Sequence, residues 1–242
     1  MTSTPVDSAQ ERILKATCDL LEQGGRSAVS TRAVSAAAGV QPQTIYRQFG
    51  DMAGLLDAAA QEGFRRYLGS KSSAAFGADP VADLRAGWDL HIDFGVNNPA
   101  LYLLMYGEPD SRRQPEAARQ TQDILRNLLD AAARAGRLRM DVDAAASLIH
   151  ALGIGVVISA IGNKAEADTG LSERVRELAI EAITTEDARE SSGAQRPDDD
   201  AARHAIALRS LVPAASSGLT PGESLLLDEL LARVAKAGAA EA

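Results

Sequence analysis

The sequence predicts an all-α protein, with a small three-helix domain over residues 1–51 and a larger helical bundle over residues 52–242. Three observations predict it. Apolar residues recur at three- and four-residue spacing along most of the chain, the period of a half-buried helix. Sustained alternation, the mark of a half-buried strand, is scarce. Residues 30–49, STRAVSAAAGVQPQTIYRQF, read as two short helices on either side of a tight turn.

That turn segment is specified residue by residue. The Ser30 hydroxyl suits an N-cap, where it accepts from a free amide of the first turn. Val34, Ala37 and Ala38 give the first helix an apolar stripe of small residues, which lets two helices cross closely. Gly39 suits the left-handed position that ends a helix, and Val40 plugs the core beneath the turn. Pro42 fits the first position of a new helix, where no amide partner is needed. Ile45 and Phe49 are four apart, so they share the inward face. Gln43, Thr44 and Arg47 fall largely on other faces, and Tyr46 lies at the edge. A helix-turn-helix lays its second helix in the DNA major groove. Amide, hydroxyl and guanidinium groups are the ones that reach base edges and phosphates. The candidate DNA contacts are therefore Ser30, Thr31, Arg32, Gln41, Gln43, Thr44, Tyr46 and Arg47.

Helices continue through the remainder. Asp51 caps one running to about residue 68, with Leu55, Leu56, Ala59 and Phe64 inward. Residues 71–80 read as a loop. Residues 80–97 carry Leu84, Trp88, His91 and Ile92 at helical spacing, until Asn97-Asn98-Pro99 breaks them. A short apolar helix over 100–106 and a turn at 107–110 follow. A long amphipathic helix with Ile124, Leu125, Leu128 and Leu129 then ends at Gly136. Asp141 caps a helix over 142–161, and further helices are expected near 171–184, 199–211 and 221–237. Residues 189–200 read as a solvated linker.

Residues 7–68 closely resemble the DNA-binding domain of TetR-family transcriptional regulators. The family pattern T-x-R-x-I-A-x-x-A-G-V-S-x-x-T-[LI]-Y-x-[HY]-F is matched at Ser30, Arg32, Val34, Ala38, Gly39, Val40, Thr44, Ile45, Tyr46 and Phe49. Upstream, Arg12-Ile13-Leu14 with Ala16, Leu20-Leu21 and Gly24-Gly25 look like the family's first helix and the turn after it. Three positions depart. Gln41 replaces the small polar cap, Ser35 replaces an alanine, and Met52 replaces a lysine that commonly reaches a phosphate. Residues 94–105, FGVNNPALYLLM, are similar to part of one TetR C-terminal subfamily. The resemblance implies a dimeric, ligand-responsive regulator, a repressor that leaves its palindromic operator when a small, largely apolar effector binds. The alternative is a helical adaptor or a regulator controlled by a protein partner.

Charge and composition set bounds on this. The net charge of −8 argues against a general nucleic-acid binder. Residues 1–70 carry seven basic and seven acidic side chains, so the excess lies beyond them and the reading head is neutral. Cys18 is the one cysteine. It excludes an internal disulfide and fits a cytoplasmic setting; on the apolar side of the first helix it reads as a buried thiol, with a redox sensor as the alternative. The apolar run 148–161 is shorter than a bilayer requires, so no membrane partner is expected. The catalytic motifs G-x-S-x-G, G-x-G-x-x-G after a strand, the P-loop and H-E-x-x-H are absent, so neither enzyme activity nor a cofactor is expected. With three histidines and no ligand spacing, no metal is expected either. Asp198-Asp199-Asp200 reads as a solvated acidic run.

Two further sets of residues complete the reading. Trp88, His91, Phe94, Tyr102, Met105, Tyr106 and His150 gather on the central helices, either as ordinary core or as the lining of an effector pocket. The helix over 142–161 is apolar nearly all round, with small residues every four positions. Leu148, Ala151, Leu152, Gly155, Val156 and Ser159 are its candidate dimer contacts. The partner helix is either 171–184 or the last one.

Overall fold

The computed structural model describes residues 8–71, 77, 79–107, 115–162, 170–185, 197–215 and 218–239. They form α1 (Ala9–Ala28), α2 (Thr31–Ala38), α3 (Pro42–Phe49), α4 (Met52–Lys71), α5 (Pro80–Asn97), α6 (Pro99–Tyr106), α7 (Glu116–Arg134), α8 (Val142–Gly162), α9 (Leu171–Ile183), α10 (Pro197–Ala215) and α11 (Pro221–Ala239). No strand occurs among the described residues. A single antiparallel bridge, Leu138 to Thr184, ties the loop after α7 to the end of α9. The predicted linker is shorter than expected, since α10 begins at Pro197 and 189–196 lie outside the described residues. Most of the predicted loop at 71–80 and residues 108–110 of the predicted turn also lie outside them.

The chain divides into two compact units. The first comprises Met1–Ala74 and Asp93–Thr121, the second Ala75–Ile92 and Gln122–Ala242. The division differs from the break after residue 51 because α6 packs on both α1 and α4.

In the first unit α1 is kinked at the predicted glycine pair, Gly24-Gly25. Gly25 takes φ 64, ψ −160, a conformation only glycine adopts without strain. Ser8 and Glu11 form a capping box at its start, satisfying two otherwise free amides. Ile13, Leu21, Val34, Ile45, Leu55, Ala59, Phe64 and Tyr102 form the buried interior. Cys18 is buried among them, and burial pushes its thiol up to about 11, which suits the structural reading over the redox one.

The second unit is built on Leu84, Trp88, Leu129, Leu138, Ala145, Ile149, Ile183 and Ile206. The Asp141 carboxylate accepts from Ala144 N at 3.0 Å, the expected cap of α8. At 21 residues, α8 is longer than the apolar run suggested, and by length and composition alone it would reach across a bilayer. Instead it supplies Ala145, Ile149, Val156 and Val157 to the interior. The opposite face of α8, expected to be buried too, is open in the single chain.

Candidate nucleic-acid interface

The helix pair α2–α3 is held by local devices. Ser30 Oγ accepts from Ala33 N at 3.2 Å. Gly39 sits at φ 63, ψ 41 and turns the chain into α3. Pro42 occupies the first turn of α3, and Gln41 makes no side-chain cap bond, the deficit its amide was expected to bring. Ile45 is fully buried and Phe49 half-buried. Burial of that one face turns Gln43, Tyr46 and Arg47 outward, all exposed, with Thr44 half-buried. Ser30, Arg32 and Gln41 are exposed as well, and Thr31 is half-buried.

Tyr46 Oη lies 3.0 Å from Thr31 Oγ1. The bond pins the start of α2 to the middle of α3 and sets two hydroxyls side by side on the exposed surface. Spacing alone selected both residues but did not show that they bond. Arg12, absent from the predicted set, donates from Nε to Ala38 O at 3.3 Å. Its cation meets the carbonyl end of α2, where positive charge is favoured. An arginine on the first helix carries no sequence signal for that role.

Two expectations are corrected, and a third position gains a description. Ala37 is exposed rather than part of the inward stripe, because the eight-residue helix buries only Val34, Ser35 and Ala38. Val40 is half-buried, so it covers the turn rather than filling a core. Ser35, at the position where an alanine was expected, is buried with a hydroxyl that makes no hydrogen bond. Beyond the turn, Asp51 Oδ1 accepts from Gly54 N at 2.7 Å, capping α4 as expected.

The seven aromatic, methionine and histidine candidates divide into two clusters. In the first unit Phe94, Tyr102 and Met105 are buried. Phe94 and Tyr102 lie 6.4 Å apart, and Tyr102 and Tyr106 4.7 Å apart. Burial raises the Tyr106 phenol to about 12. Tyr67, which the sequence did not single out, joins this cluster: its hydroxyl donates to Asp93 Oδ2 at 2.7 Å. In the second unit Trp88 Nε1 donates to Ser172 Oγ at 3.1 Å, and His150 Nε2 lies 3.3 Å from Gln122 Nε2. A Cβ at Gly153 would stand 3.2 Å from His91, so that glycine admits the ring. Burial, then the neighbouring His150, pushes His91 down to about 4, and burial lowers His150 as well. None of the seven lines the groove of about 940 Å³ that runs along α1, α4 and α6 in the first unit.

Along α8, Ala151, Gly155 and Ser159 are exposed on one strip, and Leu148 and Leu152 are half-buried. Val156 belongs to the interior of its own unit. Leu178 on α9 is 66% exposed, and on α11 Leu225, Leu226 and Leu230 are all exposed.

Residues 13–59 match the family model described as bacterial regulatory proteins, tetR family. No curated relative matches the chain. Solved structures do. A TetR family transcription regulator from Marinobacter aquaeolei VT8 shares 22% identity at TM-score 0.56, covering 74% of this chain and 97% of that one. A bacterial regulatory protein in the tetR family from Rhodococcus RHA1 shares 24% at TM-score 0.55, covering 75% and 100%. The transcriptional regulator FadR from Bacillus subtilis, solved in complex with stearoyl-CoA, shares 20% at TM-score 0.55, covering 71% and 98%. At these identities the likeness is one of fold.

Proposed function

We propose that this chain, which carries the tetR-family N-terminal domain at residues 13–59, is a dimeric repressor that leaves its operator when a small, largely apolar molecule binds. Residues 1–51 read the DNA and residues 52–242 hold the dimer and the effector. The observation that carries the reading is α3 itself. One buried residue, Ile45, fixes its rotation, and Gln43, Tyr46 and Arg47 project from the other side. Gln43, Thr44 and Arg47 set sequence preference. Tyr46, Thr31, Ser30 and Arg32 hold the backbone, and Gln41 stands at the mouth of α3.

One recognition helix spans few base pairs, so two heads are needed. The open strip Ala151, Gly155 and Ser159 on α8 supports a two-fold contact, because small residues let two helices approach closely. An added Cβ at Gly155 meets nothing within 4 Å, so Gly155→Trp leaves the single chain folded. Sedimentation of that variant is expected to show a monomer where the parent shows a dimer, with operator binding lost. A dimer that survives Gly155→Trp refutes this interface. The exposed Leu225, Leu226 and Leu230 of α11 favour a second reading, a regulator controlled by a protein that covers them. Release of operator on adding a protein fraction, with no small molecule effective, would select it.

The effector is the least specified part. The FadR structure with stearoyl-CoA supports an apolar ligand on this scaffold. His91 and His150, kept neutral by burial, suit hydrogen bonding rather than charge pairing. Gly153→Ala, whose Cβ stands 3.2 Å from His91, is expected to blunt effector response while sparing operator binding; an unchanged response moves the effector elsewhere.

A further inference from the structure

The turn between α2 and α3 sets the tilt of the reading helix, and it is thinly packed. α2 buries only Val34, Ser35 and Ala38, and α3 buries only Ile45. Gly39 turns the chain at φ 63, and a Cβ there would meet nothing within 4 Å. Glycine takes positive and negative φ about equally readily. The turn therefore needs a restraint from outside itself.

The peptide unit that joins Ala38 to Gly39 is held on both sides. Its N–H, that of Gly39, donates to Ser35 O within α2. Its C=O, that of Ala38, accepts from Arg12 Nε at 3.3 Å. α2 has no basic residue in its own last turn. The cation that its carbonyl end favours comes instead from α1, 26 residues earlier. α1 packs on α2, so the bond starts from a fixed base.

We infer, resting on the DNA-binding reading, that Arg12 is a positioning residue for sequence recognition. Its Nε–H holds the plane of the Ala38–Gly39 peptide, and that plane aims α3. Arg12 acts on the operator through α2 and the turn. A direct contact between its guanidinium and a DNA phosphate is the competing role, and charge separates the two.

Glutamine carries an N–H donor as many bonds from the backbone as arginine Nε, without the charge. Methionine keeps the length and loses the donor. Arg12→Gln, Arg12→Met and the parent, all as full chains, are titrated with the operator that the parent selects and with random duplex of equal length. A salt series is run below each protein's melting temperature. Arg12→Met is expected to lose about tenfold in operator affinity, with binding to random duplex and the salt slope unchanged. Arg12→Gln should stay within about threefold of the parent. An Arg12→Met variant that keeps the parent's ratio of operator to random affinity overturns the proposal, because a merely structural loss lowers both alike. A glutamine variant as poor as the methionine one overturns it too. So does a flatter salt slope in both variants, the mark of a lost phosphate contact. A parent that selects no sequence takes the DNA-binding reading down with this one; a selecting parent beside an unaffected Arg12→Met removes this inference alone.

Discussion

α3 and α8 both offer a face to a partner, and they are specified by opposite means. α3 has eight residues, a proline at its start and a glycine at its end. Ile45 is its one fully buried residue. Its polar side chains announce which face is outward, so the exposed set follows from spacing. α8 is apolar almost throughout, and nothing in its own sequence distinguishes Val156, which is buried, from Gly155, which is open. Its faces are decided by what packs against them. A helix with a polar side declares its orientation locally, and a uniformly apolar one acquires it from its neighbours.

Ile45→Ala removes the residue that sets the rotation of α3 and should cost about 2–5 kcal/mol, with DNA binding lost. Ile158→Ala, on the open side of α8, should change the stability of a monomeric background by no more than about 0.5 kcal/mol. Denaturant titration of both variants, built on Gly155→Trp to remove the dimer, measures the contrast. A large loss at Ile158 in that background shows the face to be packed within the chain.

A smaller effect is confined to the second unit. His91 is held near pH 4 by burial when folded and titrates near 6.5 when unfolded. Its contribution is therefore full above about pH 6.5. It is lost as pH falls toward 4, because the unfolded chain takes the proton first. Stability should drop by on the order of 1–3 kcal/mol across that window, and His91→Asn should flatten the slope. Parallel slopes in parent and variant by chemical denaturation would show that His91 is not the group responsible.

The smallest effect sharpens the description of the first unit. Ser35→Ala removes a buried hydroxyl without a partner and improves helix propensity, so it should stabilise the head by about 1 kcal/mol. A lower melting temperature would mean that the hydroxyl is satisfied in solution.

The reading head was legible because its signals are short-range. Ser30, Gly39, Pro42 and Asp51 each act on backbone within four residues, and each sits where its chemistry requires. The clusters were less legible because their partners lie far along the chain. Trp88 meets Ser172, Arg85 meets Glu177 and His91 meets Gly153. No spacing rule links such positions. The groove along α1, α4 and α6 was invisible for the same reason. Its walls come from three helices far apart in the chain.

Selection of binding sites from random duplex DNA, by the full chain and by Gln43→Ala in parallel, shows whether α3 reads sequence. A two-fold palindrome is expected, with half-site centres about 34–36 Å apart or a near multiple. Gln43→Ala should relax one position in each half-site, at a cost of about 1–3 kcal/mol. No enriched sequence, or the same consensus from both proteins, would contradict it.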